Sequence, residues 1–345
     1  LEPSSIINPR RHFECLTYTG DGSSSHRISG LEFQPDLVWL KCYSHNKWNI
    51  LVDSIRGNDK NISSNSTGAE FTETHIPSFN SDGITVADID SGTANENTYS
   101  YVAWCWKAGG AAVTNNNGSV TSQVSANKDA GFSIVTYSGS NDSTVTFGHG
   151  LDSAPEMVLI KRRNNANGWR VYHHSIGLGK YLSLSNNAAA VTSSQDFASV
   201  SATTFGVKGG YNPVSINGGT YVAYCWHSVP GYSKVGFYYG NGNLDGKFVY
   251  TGFKPAFILL KRSSDSTNYW EIRDNKRVTN NPNNARLFPN VSDVQSVGEG
   301  IDFYNNGFKL RNSGTGSNSS DKAYIYMAFA EQPLTTPYGT QSNGE

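Results

Sequence analysis

The sequence predicts an all-β protein, three tandem antiparallel β-sandwich units of about 100 residues, jelly-roll-like or lectin-like, with a pseudo-threefold arrangement of the units as the alternative. Three observations carry this expectation. One phrase recurs: Tyr101-Val102-Ala103-Trp104-Cys105-Trp106 returns as Tyr221-Val222-Ala223-Tyr224-Cys225-Trp226 and, more loosely, as Tyr324-Ile325-Tyr326-Met327-Ala328-Phe329. A second phrase runs in step, from Pro35-Asp36-Leu37-Val38-Trp39-Leu40-Lys41 through Pro155–Lys161 to Pro255–Lys261. No segment sustains apolar residues at helical spacing for three turns without a Gly, a Pro or a β-branched cluster, whereas short alternating runs bounded by turn residues recur throughout. Residues present in all three copies point to shared folding rather than to one chemical event.

The units read as residues 13–110, 131–234 and 235–333, between tails at 1–12 and 334–345. Residues 111–130, with Asn115-Asn116-Asn117-Gly118, read as a linker in which Ser119–Val124 could form one edge strand. In the second unit, strands are expected at Phe132–Tyr137, Val145–Phe147, Met157–Lys161, Trp169–His173, Tyr181–Leu184, Thr204–Val207 and Tyr221–Trp226. The run Met157-Val158-Leu159-Ile160 is continuously apolar, so it and its counterparts should lie mid-sheet with both faces covered. Cys105 and Cys225 occupy the phrase position that carries Ala328 in the third copy, a small buried site, and all four cysteines read as core thiols rather than bridge partners or zinc ligands. The third copy, without cysteine, reads as an end unit.

Charged residues make up only 16% of the chain, and the formal net charge is -1, so no basic footprint for nucleic acid is present. Arg10-Arg11 and Lys161-Arg162-Arg163 are short runs beside strand patterns, expected on solvated faces. No apolar stretch approaches the ~20 residues of a membrane helix. A start at Leu1 is expected of a processed product or of a fragment of a longer chain.

Candidate chemistry is sparse. Trp48, Trp169 and Trp270 follow the marker prolines Pro35, Pro155 and Pro255 at 13, 14 and 15 residues, and each could be a sugar-stacking platform or a core anchor that opens a strand. Adjacent histidines such as His173-His174 point to opposite faces of a regular strand, which argues against a shared metal ion. Polysaccharide cleavage needs two carboxyl groups about 5 to 9.5 Å apart. Asp53, Glu70, Glu73, Asp88, Asp90 and Glu271 are available, but no pair sits in a recognisable context. Asp88 and Asp90 alternate along a strand-like face and could hold Ca²⁺ with an Asn95 oxygen; no other cofactor is expected.

Several long phrases resemble a known repeat family: Asn8-Pro9-Arg10-Arg11-His12-Phe13, Tyr18-Thr19-Gly20-Asp21-Gly22, Gly30-Leu31-Glu32-Phe33-Gln34-Pro35-Asp36, Tyr101–Gly110 and Tyr324–Glu331. The family is similar to the C-terminal regions of tail-fibre and other virion proteins of marine tailed bacteriophages, and the resemblance spans residues 8 to 333. It implies a virion component at the host-facing end of a tail appendage, among other virion proteins, and carries no catalytic residues over. Because tail fibres are commonly trimers, it also implies a homotrimer, with a pseudo-threefold monomer as the rival.

The expected function is non-enzymatic host attachment to a bacterial surface glycan or outer-membrane protein, without membrane insertion. A structural virion part such as a head decoration and a polysaccharide depolymerase are the alternatives. Binding is expected in uncharged aromatic loops, at Tyr43, His45, Trp48, Tyr211, Tyr269 and Trp270. The departures from the repeat, His45-Asn46-Lys47 and Asp293–Glu299, fall in such loops.

Overall fold

Three antiparallel sheets of one strand order follow one another along the chain. The computed structural model describes residues 6–89, 92–265, 268–331, 334–335 and 341–342. In each sheet an opening strand (Phe13–Thr19, Phe132–Ser138, Ser233–Tyr239) pairs with a closing strand (Ser100–Trp106, Thr220–Trp226, Ala323–Ala330). The closing strand pairs with a lysine strand (Leu37–Cys42, Met157–Arg162, Pro255–Arg262), and that with a hairpin strand (Asn49–Asp53, Arg170–His173, Glu271–Asp274). The registers coincide: Phe13, Phe132 and Ser233 stand opposite Trp106, Trp226 and Phe329, which on their other side face Leu37, Met157 and Phe257. The lysine strands lie inside their sheets and are buried along their whole length, as their apolar runs require. The expectation of a solvated face for Lys161-Arg162-Arg163 is corrected: Lys161 and Arg162 are buried, Lys161 because its ammonium is satisfied by backbone carbonyls, and Arg163 pairs with Glu70.

Strand parity explains the repeated phrase. Successive residues face opposite sides of a sheet, and both sides of each closing strand are covered. Val102, Trp104 and Trp106 join Val222, Tyr224, Trp226, Ile325, Met327 and Phe329 in one core common to the three sheets. Tyr101, Ala103 and Cys105 instead face a smaller sheet of the same unit, as do Tyr221, Ala223 and Cys225, and Tyr324, Tyr326 and Ala328. The common core is aromatic: the Trp106 ring lies 6.1 Å from Trp226 and 5.7 Å from Phe329, and Phe13 stacks on Phe329 at 4.7 Å. All four cysteines are free and buried.

The smaller sheets are built from His26–Ser29, Gly83–Val86 and Ser78–Asn80; from Val145–Gly148, Thr204–Val207 and Phe197–Val200; and from Phe248–Tyr250, Gly307–Leu310, Ser296–Tyr304 and Asn283–Arg286. The phrase tyrosines tie each sandwich shut. Tyr101, Tyr221 and Tyr324 donate to the carbonyls of Gly92, Asn212 and Thr315, in each case nine residues upstream. They stack on Tyr18, Tyr137 and Tyr238 at 5.0, 5.1 and 5.1 Å. Glycine follows each opening strand for a steric reason. A Cβ on Gly20, Gly139 or Gly240 would lie 2.1, 2.4 or 2.3 Å from the carbonyl oxygen of Glu96, Ile216 or Ser319.

Two local expectations change. Residues 111–130 are not a free linker, because Ser122–Asn127 pairs along the edge of Phe132–Ser138 and Val113–Asn115 pairs outside it. Tyr181–Leu184 is shorter as a strand, Lys180–Tyr181 pairing with Val191–Thr192, while Phe197–Val200 was not anticipated.

The three sheets close a ring through one contact made three times. The Nζ atoms of Lys41, Lys161 and Lys261 donate to the carbonyls of Ser292, Thr67 and Asn187, each in another unit, at 2.8, 3.1 and 3.2 Å. Two residues past each lysine, the carbonyls of Tyr43, Arg163 and Ser263 accept from the amides of Gln295, Glu70 and Ala190. The first unit thus leans on the third, the second on the first and the third on the second, a head-to-tail contact that closes. Burial pushes all three lysines down to about 8.

Candidate functional site

A side chain's role in this ring depends on its parity in the hairpin strand. Lys41 stands opposite Asn49. In the other units the ladders end at Ile160–Arg170 and Leu260–Glu271, which places Trp169 and Trp270 one step further, level with Lys161 and Lys261. The counterpart of Trp169 and Trp270 is therefore Asn49, not Trp48. All three reach a backbone carbonyl of another unit: Trp169 Nε1 to Ser63 and Trp270 Nε1 to Ser183, both at 2.9 Å, and Asn49 Nδ2 to Val291 at 2.8 Å. Trp169 and Trp270 are core anchors, and the expectation that Trp270 binds a ligand is corrected, since it is 1% exposed. Trp48, one residue out of phase, is turned outward and is 49% exposed.

Trp48 forms one wall of a cleft of about 580 Å³ that Asn46, Lys47, Ile50, Gly68, Ala69, Phe71, Glu73 and Thr93 also line. The Phe71 ring stands edge-on to Trp48 at 6.0 Å and is backed by buried His75 at 6.4 Å. Beside it, His45 stacks flat on Tyr99 at 3.5 Å, with Lys47 Nζ 5.8 Å from the same ring. The loop is held from both sides: Ser44 accepts from the Ser100 amide, and Asn46 Oδ1 accepts from the Val294 amide. The two departures from the repeat, His45-Asn46-Lys47 and Asp293–Glu299, thus meet across 248 residues. An apolar corner with amide, carboxylate and hydroxyl groups at its rim suits a ring that is apolar on its faces and polar at its edge.

The other expected residues are dispersed. Tyr43 is half-buried against the common core, and its carbonyl serves the ring contact. Tyr211 packs against the second sandwich core, with Arg170 Nη2 3.5 Å from its hydroxyl. Tyr269 is partly exposed and leans on Phe288 at 5.4 Å. Tyr43, His45 and Trp48 share one loop; Tyr211 and Tyr269 belong elsewhere. Phe71 and Glu73 were overlooked as cleft residues because they lie in a short strand and its flank with no counterpart in the repeated phrases.

The carboxylates are mostly committed. Asp53 is buried against Arg56, with the Tyr224 hydroxyl donating to it at 2.7 Å. Glu70 joins Arg56 and Arg163; burial alone would raise its carboxyl, but the two guanidinium groups hold it below the ordinary range. Glu271 lies between Arg273 and Arg286, and burial raises it. Asp88 follows the strand Gly83–Val86 rather than alternating along it, and Asp90 lies outside the described residues. The Asn95 amide is engaged with Asp21, Ser23 and His26. Among the described residues no group of three His, Cys, Asp or Glu side chains could hold a metal ion. The rings of His173 and His174 lie 4.9 Å apart, because the strand ends at His173 and the chain turns there.

A family model described as a domain of unknown function, DUF7483, matches residues 8–333. The chain belongs to that family. No curated protein matches it. In this DUF7483 chain the matched stretch takes in all three sheets, the ring contacts and the Trp48 cleft.

Proposed function

We propose that the protein is a non-enzymatic attachment module of a bacteriophage virion, binding a bacterial surface glycan through the Trp48 cleft. The observation that carries this reading is Trp48 itself. It is a large aromatic residue turned to solvent beside Phe71, one residue out of phase with Asn49, Trp169 and Trp270, which are buried at the junctions between units. Trp and Tyr are effective in such sites because they offer rigid area at small entropic cost. The ion-paired state of Asp53, Glu70 and Glu271 favours binding over polysaccharide cleavage. The sequence resemblance to virion proteins supports a place on a tail appendage facing the host. Of the two assemblies open from sequence, ring closure within one chain favours the pseudo-threefold monomer over the homotrimer.

Purified protein and Trp48→Ala should be compared for binding to immobilised envelope polysaccharides, with the solution mass measured alongside. Loss of about 1 to 3 kcal/mol of binding in the variant, with unchanged stability, is expected. Equal binding by both proteins would sink the cleft as the site. Antibody-gold labelling of particles at the shell instead of the tail tip would favour a decoration role.

A further inference from the structure

The third unit carries a second groove, at an edge that the second unit covers. In the second unit the opening strand Phe132–Ser138 has Ser122–Asn127 paired along its outer edge. Among the described strands, the third unit's opening strand Ser233–Tyr239 pairs with Ala323–Ala330 alone, and on its outer edge it has just a bridge from Ser233 to Val229 and the Val235 amide donating to the Ser228 hydroxyl. Its residues Phe237 and Tyr239 stand at the positions of Thr17 and Thr19 in the first unit and of Thr136 and Ser138 in the second, as the shared registers require. Both are exposed, at 52% and 59%, and across from them Phe248 and Tyr250 are exposed at 40% and 54%.

These side chains line a groove of about 470 Å³ that adjoins a second of about 290 Å³, the two sharing Lys234 and Tyr250. The channel is open, with aromatic groups on both walls. Gly236 lies on its floor, where a Cβ would come within 2.6 Å of the Tyr326 hydroxyl. Two lysines line it against one carboxylate. Lys234 and Lys247 are exposed and form no ion pair among the described residues. The one lining carboxylate, Glu156, accepts from the amide and hydroxyl of Ser228.

We propose that this groove binds an acidic polysaccharide lengthwise, its sugar rings against Phe237, Tyr239 and Tyr250 and its carboxylates against Lys234 and Lys247. Two adjoining clefts suit a chain rather than a single small molecule. Aromatic faces suit sugar rings, and the two ammonium groups select the charge. The proposal does not rest on the Trp48 cleft.

The test is titration of the whole protein with hexameric oligouronates from alginate, with cellohexaose as the neutral control, followed by isothermal calorimetry and NMR. Binding of the oligouronate alone, weakened at high salt, is expected. Phe237→Ala and Tyr250→Ala should each weaken it about tenfold, and Lys234→Ala with Lys247→Ala about tenfold together. All these positions are exposed, so folding is expected to survive, and a matched unfolding midpoint checks it. No oligouronate binding at millimolar concentration, equal binding of cellohexaose, or binding that survives Tyr250→Ala overturns the proposal. Preferential binding of an acidic, strand-forming peptide also overturns it, in favour of strand addition to the bare edge.

Discussion

Lys41 Nζ and the Ser292 carbonyl oxygen meet at 2.8 Å across 251 residues of sequence, and this bond joins the first unit to the third. Lys161 and Lys261 make the same bond at the other two joins; Lys41 and Lys161 also donate to carbonyls of their own hairpin loops, Lys47 and Asn167, and Lys261 to the Arg262 carbonyl. Lys161→Met removes a charged donor from two carbonyls and should cost about 1 to 3 kcal/mol by urea denaturation at pH 7.

The pH dependence of that loss has a defined sign. Burial lowers Lys161 to about 8, against an ordinary value of about 10.4, so between these values the unfolded chain holds more protons and stability rises with pH. The buried thiols of Cys105 and Cys225, pushed well up by burial, act in the opposite sense once pH passes the ordinary thiol value. The measurement is therefore the stability difference between wild type and Lys161→Met. It should widen in favour of wild type from about pH 8 to pH 10 by about 1 kcal/mol or more. A constant difference would show that the ammonium carries no desolvation penalty in the fold.

Trp48 and Trp169 should separate cleanly on truncation. Trp169→Ala opens a cavity at the junction of two units and leaves the Ser63 carbonyl without its donor, a loss of about 3 to 5 kcal/mol. Trp48→Ala removes a half-exposed ring and should change stability by about 1 kcal/mol or less. Unfolding midpoints in guanidinium read both.

A second tie crosses the ring one layer deeper. Tyr224 donates to Asp53 at 2.7 Å and Trp104 Nε1 to Asp274 at 3.2 Å, with Arg56 and Arg277 bracing the two carboxylates. In the remaining junction His173 takes the aspartate position and Met327 the aromatic one, so the polar partners are exchanged together. A double-mutant cycle between Tyr224→Phe and Asp53→Asn should give a coupling of about 1 to 3 kcal/mol. Coupling near zero would mean that Arg56 alone satisfies the Asp53 carboxylate.

The strand character of the phrase, and the small buried site at Cys105 and Cys225, were legible because the phrase recurs and its third copy accepts Ala328. The continuous burial of Leu37–Leu40 and Met157–Ile160 was legible from their unbroken apolar runs, whereas the burial of Lys161 and Arg162 was not, the Lys161 ammonium depending on a Thr67 carbonyl supplied by another unit. Trp48 was not, because its meaning turns on a one-residue shift inside a hairpin loop: by position it matches Trp169, and by register Asn49 does. The edge strand expected at Ser119–Val124 lies instead at Ser122–Asn127, a shift the sequence did not carry because the strand's place comes from an edge offered by Phe132–Ser138 rather than from its own apolar content. The ring itself is written in backbone carbonyls such as those of Thr67 and Asn187, which carry no sequence signal.

The buried cysteines give a direct readout of whether the ring unfolds as one body. Cys15 lies in the common core, Cys42 and Cys105 in the first sandwich and Cys225 in the second, all buried. A thiol reagent should label none of them in the folded protein and all four under denaturant, with one midpoint, because Trp106 and Trp226 share a core that neither unit can leave alone. Mass spectrometry of partly labelled protein should then show chains with none or four labels. Chains labelled only at Cys225 would mean that the second unit opens by itself, and that the Lys161 and Trp169 bonds to the first unit contribute little to cooperativity.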